Sequence, residues 1–153
     1  MKINELSKRH EIGENIKLNN AYLQYEKLLS ELRIRELPET IIALINKDID
    51  ELNSLSDNGK VLRRLLRKKQ TQTITLLEKK LKLVPINYYR NMWIVVGMAA
   101  FGIPLGAAIG SSVGNMSFLG VGMPLGMVIG LGLGTGLDKK ALKEGRQLNL
   151  EIK

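Results

Sequence analysis

The residues that first suggest chemistry mostly exclude it. The only histidine, His10, is followed by Glu11 and Glu14 but not by the second histidine that a helical zinc-protease motif needs. With no cysteine in the chain, thiolate metal sites, disulfides and cysteine nucleophiles are excluded. Gly130, Gly132, Gly134 and Gly136 recur in steps of two, the wrong spacing for a dinucleotide loop, and no Gly-Lys-Ser/Thr occurs for a P-loop. No nucleophile–base pair or paired-carboxylate site is visible, so neither an enzyme nor a cofactor is expected. Asn115-Met116-Ser117 is formally a glycosylation sequon, but it is read as turn residues.

Two patterns remain. The first is glycine in steps of four: Gly102, Gly106, Gly110 and Gly114, then Gly122, Gly126, Gly130 and Gly134. On a helix of 3.6 residues per turn, such steps keep glycine on one slowly drifting face, where a second backbone can approach closely. The segments Gly102–Gly110 and Gly122–Gly130 repeat each other, each with a Gly-x-Pro-Leu-Gly core. The second pattern is basic: Lys60, Arg63, Arg64, Arg67 and Lys68 fall on one helical stripe that Lys69 widens. The stripe fits anionic lipid headgroups, a protein partner, or a solvated face that fixes topology and pairs with the acidic first two helices. Nucleic acid is the weaker reading, because no aromatic platform or reading motif accompanies it.

The elements that carry these patterns separate two solvents. From Asn91 to Leu137 there are 47 residues without Asp, Glu, Lys, Arg or His, and they hold 12 of the 15 glycines. A spanning helix needs about 20 apolar residues, so this length predicts two helices, about 92–113 and 118–137, joined at Gly114-Asn115-Met116-Ser117. Folding about Met116 would set Gly102 level with Gly130, Gly106 with Gly126 and Gly110 with Gly122. Pro104 and Pro124 should each kink a helix. A soluble core hairpin is disfavoured, because the rest of the chain is too charge-rich to wrap so many apolar residues.

Lys79, Lys80, Lys82 and Arg90 precede the spans, and Lys139, Lys140, Lys143 and Arg146 follow them. Basic flanks on both sides predict both termini in the cytoplasm, with Tyr88, Tyr89 and Trp93 at the interface. The stretch before the first helix has no apolar core, so no cleavable signal peptide is expected and entry falls to the internal spans.

Residues 1–57 carry 8 basic and 11 acidic groups, a net of −3, whereas residues 58–90 carry 10 basic and one acidic, a net of +9. Three amphipathic helices are predicted here. They run from about Glu14 to Glu36 (seam Leu18, Tyr22, Tyr25, Leu29, Leu32), from Pro38 to the Asp57-Asn58-Gly59 turn (Ile42, Ile45, Ile49, Leu52), and from Lys60 to Val84. The seams suit a helical hairpin or antiparallel coiled coil and are narrow for an independent three-helix core.

The expected organisation is therefore an all-α membrane protein. It has a cytoplasmic helical segment 1–90, a glycine-zipper transmembrane hairpin 91–137 and a basic cytoplasmic tail 138–153. The glycine steps, followed by Leu137-Asp138-Lys139-Lys140-Ala141 and Glu144-Gly145-Arg146-Gln147-Leu148, resemble a loose group of small bacterial glycine-zipper membrane proteins over about residues 92–148. The resemblance implies a bacterial inner-membrane protein and brings no catalytic or ligand residues. The leading expectation is a membrane-anchored, homo-oligomeric protein whose cytoplasmic helices contact partner proteins. The alternatives are a small pore-forming or membrane-disrupting effector and a membrane tether for nucleic acid.

Overall fold

The computed structural model describes residues 2–7, 15–55 and 59–152. His10, Glu14, Asp57 and Asn58 lie outside the described residues. Among the described residues the chain is mostly helical, about 79%, with five helices. It divides into two compact units that meet in the chain at Lys82 and Leu83.

The first unit contains α1 (Ile16–Arg33), α2 (Glu39–Ser54) and α3 (Gly59–Leu81). Asn15 caps α1, its side chain accepting from the Leu18 N–H (3.1 Å). The interior is made of large side chains. Tyr25, Leu28, Leu29 and Leu32 of α1, Ile45, Ile49 and Leu52 of α2, and Leu66 and Leu77 of α3 are all fully buried. The α2 seam lies where the spacing put it, and α1 adds Ala21 and Leu28 to its own. The added width is what turns a narrow seam into a three-helix core. Tyr22 is only half-buried, and its hydroxyl donates to the carbonyls of Leu6 and Ser7.

The second unit runs from Leu83 to Glu151. Its elements are β1 (Val84–Ile86), α4 (Tyr88–Val113), α5 (Leu119–Lys143) and β2 (Gln147–Glu151). The all-α expectation needs correction here: β1 and β2 pair in parallel, Val84 opposite Gln147 and Ile86 opposite Glu151. Alternation explains β2, since Leu148 and Leu150 are buried while Asn149 and Glu151 are exposed.

Three boundaries move as a result. Helix α3 stops at Leu81 with Lys82 left-handed (φ 56°), so Leu83–Arg90 belong with the hairpin and not with the helices before it. The Val84 N–H then donates to the Arg146 carbonyl (3.0 Å). The expected basic tail is instead the last turns of α5, through Lys143, and a strand that begins after a left-handed Gly145 (φ 67°).

Candidate functional site: a glycine-lined helix hairpin

Helices α4 and α5 are antiparallel, and α4 is helical from Tyr88, earlier than its apolar residues alone suggest. Their contact consists of backbone. A Cβ added to Gly106 would lie 2.8 Å from the Cα of Leu119, and one on Gly126 would lie 2.5 Å from the amide nitrogen of Gly102. One on Gly134 would meet the Tyr89 carbonyl and the Arg90 Cα at 2.6 Å. Gly122 and Gly130 are blocked in the same way, by Gly102 and Gly106 and by Trp93 and Ile94. No side chain fits at these positions without parting the helices.

The level pairing expected from a fold about Met116 is not what forms. Gly122 lies nearest Gly102 and Gly106, Gly126 nearest Gly97 and Gly102, and Gly130 nearest Trp93 and Ile94. The register is displaced by about two turns along α4, because α5 begins at Leu119 while already beside Gly106. The connection is not a symmetric tight turn. Gly114 is left-handed (φ 74°) and terminates α4, and the Asn115 N–H donates to the Gly110 carbonyl (2.9 Å) in the manner of a Schellman cap. A single 3-10 turn, Met116–Phe118, then leads into α5. Gly114 has open space around it, so its glycine serves the backbone turn and not the helix contact.

Gly97 was missed in the sequence because it stands five residues before Gly102, off the four-residue step. The structure accommodates it with a π turn, Met98–Gly102, in which the Ile103 N–H reaches back five residues to the Met98 carbonyl. The extra residue in that turn returns Gly97 to the face shared by Gly102 and Gly106. It also lies immediately before Pro104, whose ring would otherwise crowd the carbonyl of Ala100. Pro124, in the same repeat motif, sits within an uninterrupted α-helix.

The ends of the hairpin are joined by Asp138, one residue beyond the uncharged stretch. Its carboxylate is buried and accepts from the backbone N–H groups of Tyr89 (3.0 Å) and Arg90 (2.9 Å). Asn87, at the usual capping position, is left-handed (φ 61°) and makes no cap bond from its side chain. It donates instead to Glu151 (2.8 Å). A residue on α5 therefore supplies the cap of α4, and its negative charge suits the positive end of that helix. No helix-start signal near Tyr88 could have revealed this, because the capping residue is 49 positions away.

Outside the glycine contact the hairpin is apolar and exposed. Val95, Val113 and Val128 are 66%, 59% and 67% exposed. Both helices are long and apolar enough to cross a membrane, with mean hydropathy 2.0 and 1.5 in their most apolar windows. Only 17% and 22% of those windows are buried, unlike the core helix of a soluble protein.

The basic stripe divides. Lys60, Arg64, Arg67 and Lys68 are exposed and Arg63 is half-buried. Lys69 is buried against α2, where it donates to Asp48 (2.7 Å) and Glu51 (2.5 Å). Burial works against its charge, but the two carboxylates prevail and raise its pKa above the usual lysine value. The same contact lowers the pKa of Glu51. Lys69 is thus a tie between helices. Among the described residues no group of His, Asp and Glu could hold a metal ion.

Comparison with known proteins gives no match to any family model, to any curated protein or to any solved structure.

Proposed function

We propose that this chain is a membrane-anchored, self-associating protein of a bacterial inner membrane, with its helical unit in the cytoplasm contacting partner proteins. The observation that carries the reading is the inverted packing of the hairpin. Its buried face is glycine and its large apolar side chains face outward, the arrangement helices adopt in lipid. The start of α4 and the end of α5 lie together, bound by Asp138, so both basic flanks fall at one end of the hairpin. That supports a double crossing with both termini cytoplasmic. The exposed cations of α3 are joined to α4 by a short connection and suit anionic headgroups, at about 1 kcal/mol for each one close to the surface.

The polar groups of the spans favour an anchor over a pore. Ser111 and Ser112 donate to the carbonyls of Ala107 (2.8 Å) and Ala108 (2.9 Å) on their own helix, and the Asn115 side chain accepts from Ser117 within the turn. Their hydrogen bonds are local, and no line of free polar groups is needed to explain them. Reporter fusions at Lys2 and Lys153 test the topology: both should read cytoplasmic, and one periplasmic end would overturn the hairpin. Purified protein in planar bilayers should show no stable conductance, and reproducible channels without an added partner would replace the anchor with a pore.

A further inference from the structure

On the side opposite its core, α3 is a strip of positive charge. Its core side is set by Leu62, Leu66, Thr73 and Leu77. With about 100° between successive residues, the other side carries Lys60, Arg64, Arg67, Lys68 and Lys79, all exposed. Thr71 and Thr75 lie among them and donate to the carbonyls of Arg67 (3.0 Å) and Thr71 (2.9 Å), so their hydroxyls are turned to the helix's own backbone. No Asp or Glu occurs between Asn58 and Leu77. Among the described residues none of the five cations lies within ion-pair distance of a carboxylate, and of the basic stripe only Lys69 pairs with the acidic helices.

The partner that such a strip fits is extended, anionic and close by. Lys60 and Lys79 stand about 28 Å apart along the helix, whereas the Debye length in physiological salt is about 8 Å. A small anion meets one end of the strip, and only a surface lying along α3 meets all five charges. The connection Lys82–Asn87 separates α3 from α4, and an extended chain of that length reaches at most about 20 Å. The nearest extended anionic surface is thus the headgroup layer of the membrane that α4 is read to cross. Val61, 52% exposed, is the one large apolar side chain of α3 in the open. With so little to insert below the headgroups, the attraction is one of charge and is reversible by salt.

We infer that this side of α3 is a membrane-docking face, which lays the helical unit along the anionic surface of the bilayer. The inference rests on the membrane reading proposed above and goes beyond it. The unit is held at the surface instead of hanging from its connection, and its attachment follows lipid charge and ionic strength. Helices α1 and α2 pack on the opposite side of α3, through Tyr25 against Thr73 and Asp48 against Lys69, so their outer faces stay open to a protein partner. A nucleic acid would also offer phosphates, but α3 carries no aromatic side chain on which bases could stack.

The chain has no native cysteine, so Thr71→Cys can carry a single fluorophore on the strip, with Ser30→Cys on the exposed side of α1 as the reference. Each full-length protein is reconstituted into vesicles of phosphatidylcholine, with or without phosphatidylglycerol, that bear a headgroup-linked quencher. Quenching at position 71 is expected only with phosphatidylglycerol present, and should vanish near about 1 M salt, where the Debye length is about 3 Å. The label at position 30 should stay unquenched throughout. Arg64→Gln and Lys68→Gln should each lower the docked-to-free ratio about fivefold, whereas Arg64→Lys should not. Quenching that is equal in the two lipids, or unmoved by salt and by both glutamine variants, overturns the docking. So does its loss on adding a short DNA duplex equimolar with the protein, which would assign the strip to nucleic acid. Alkaline carbonate extraction separates the two ideas. Retained protein whose label ignores lipid charge sinks only the docking, whereas protein that washes off sinks the membrane reading on which it rests.

Discussion

The two units pack helices by opposite rules. Between α1, α2 and α3 the interface is filled with bulk: Tyr25, Leu28, Ile45 and Leu66 are wholly enclosed. Between α4 and α5 the enclosed glycines are Gly97, Gly102, Gly106, Gly110, Gly122, Gly126, Gly130 and Gly134, and the bulk faces outward. In water, burying large apolar side chains is itself the driving force. On the membrane reading proposed above, a leucine gains little by touching another leucine in lipid, and helices associate by letting backbones come close. The contrast teaches that size at an interface is stabilising or destabilising according to the surrounding solvent. It also gives mutations of opposite direction.

The largest effect is expected from filling the hairpin contact. Gly126→Leu drives a side chain into the backbone of Gly97 and Gly102, beyond the about 1–3 kcal/mol typical of overpacking, because no neighbouring side chain can move aside. The hairpin should open, seen as a shift in the fluorescence of Trp93, the single tryptophan, which lies across from Gly130. Leu125→Ile, on the exposed side, should leave the spectrum unchanged. Equal responses would remove the distinction between the two interfaces.

Emptying the other interface comes next. Leu28→Ala should destabilise the first unit by about 2–5 kcal/mol, read by hydrogen exchange of α1–α3, with no change in protection of α4 and α5. Asp138→Ala should cost about 0.5–2 kcal/mol, the range of a lost helix cap, and fray the first turn of α4 around Tyr89 and Arg90. Asp138→Asn keeps an acceptor oxygen and should recover part of that protection. A uniform loss across both helices would mean that Asp138 does more than cap.

The smallest effect is the pH dependence of the Lys69 tie. Glu51 has a lowered pKa, so its contribution is present above the ordinary carboxylate range and is lost as pH falls through its folded value. Lys69 has a raised pKa, so its contribution is complete below the ordinary lysine value and is lost as pH rises through the folded one. The first unit should therefore show a stability plateau from about pH 5 to pH 10, with a shallow decline on either side. In Lys69→Met the acid decline should flatten and the alkaline one only in part, because burial also raises the pKa of Tyr25 in the same unit. An unchanged profile would show that Asp48 and Glu51 find other partners.

The periodic features were legible in the chain alone. The uncharged length, the four-residue glycine steps and the alternating apolar seams place two apolar helices and three amphipathic ones, because helical faces are a local consequence of 3.6 residues per turn. The tertiary structure decided everything that depends on residues distant in the chain. It set the register of the hairpin, which the 3-10 connection and the early start of α5 displaced from the level pairing. Two copies of one Gly-x-Pro-Leu-Gly motif received different backbones, a π turn before Pro104 and a plain helix around Pro124, because only the first helix must bring a glycine five residues away onto its contact face. Lys69 was drawn from the basic stripe to the acidic face of α2, and Asp138 from the edge of the charged flank to the start of α4. The strand pair β1–β2 escaped notice for the same reason. Its three and five residues have no partner until a helical hairpin of more than 50 residues returns the chain beside itself, and pairing between distant segments is written in no local pattern.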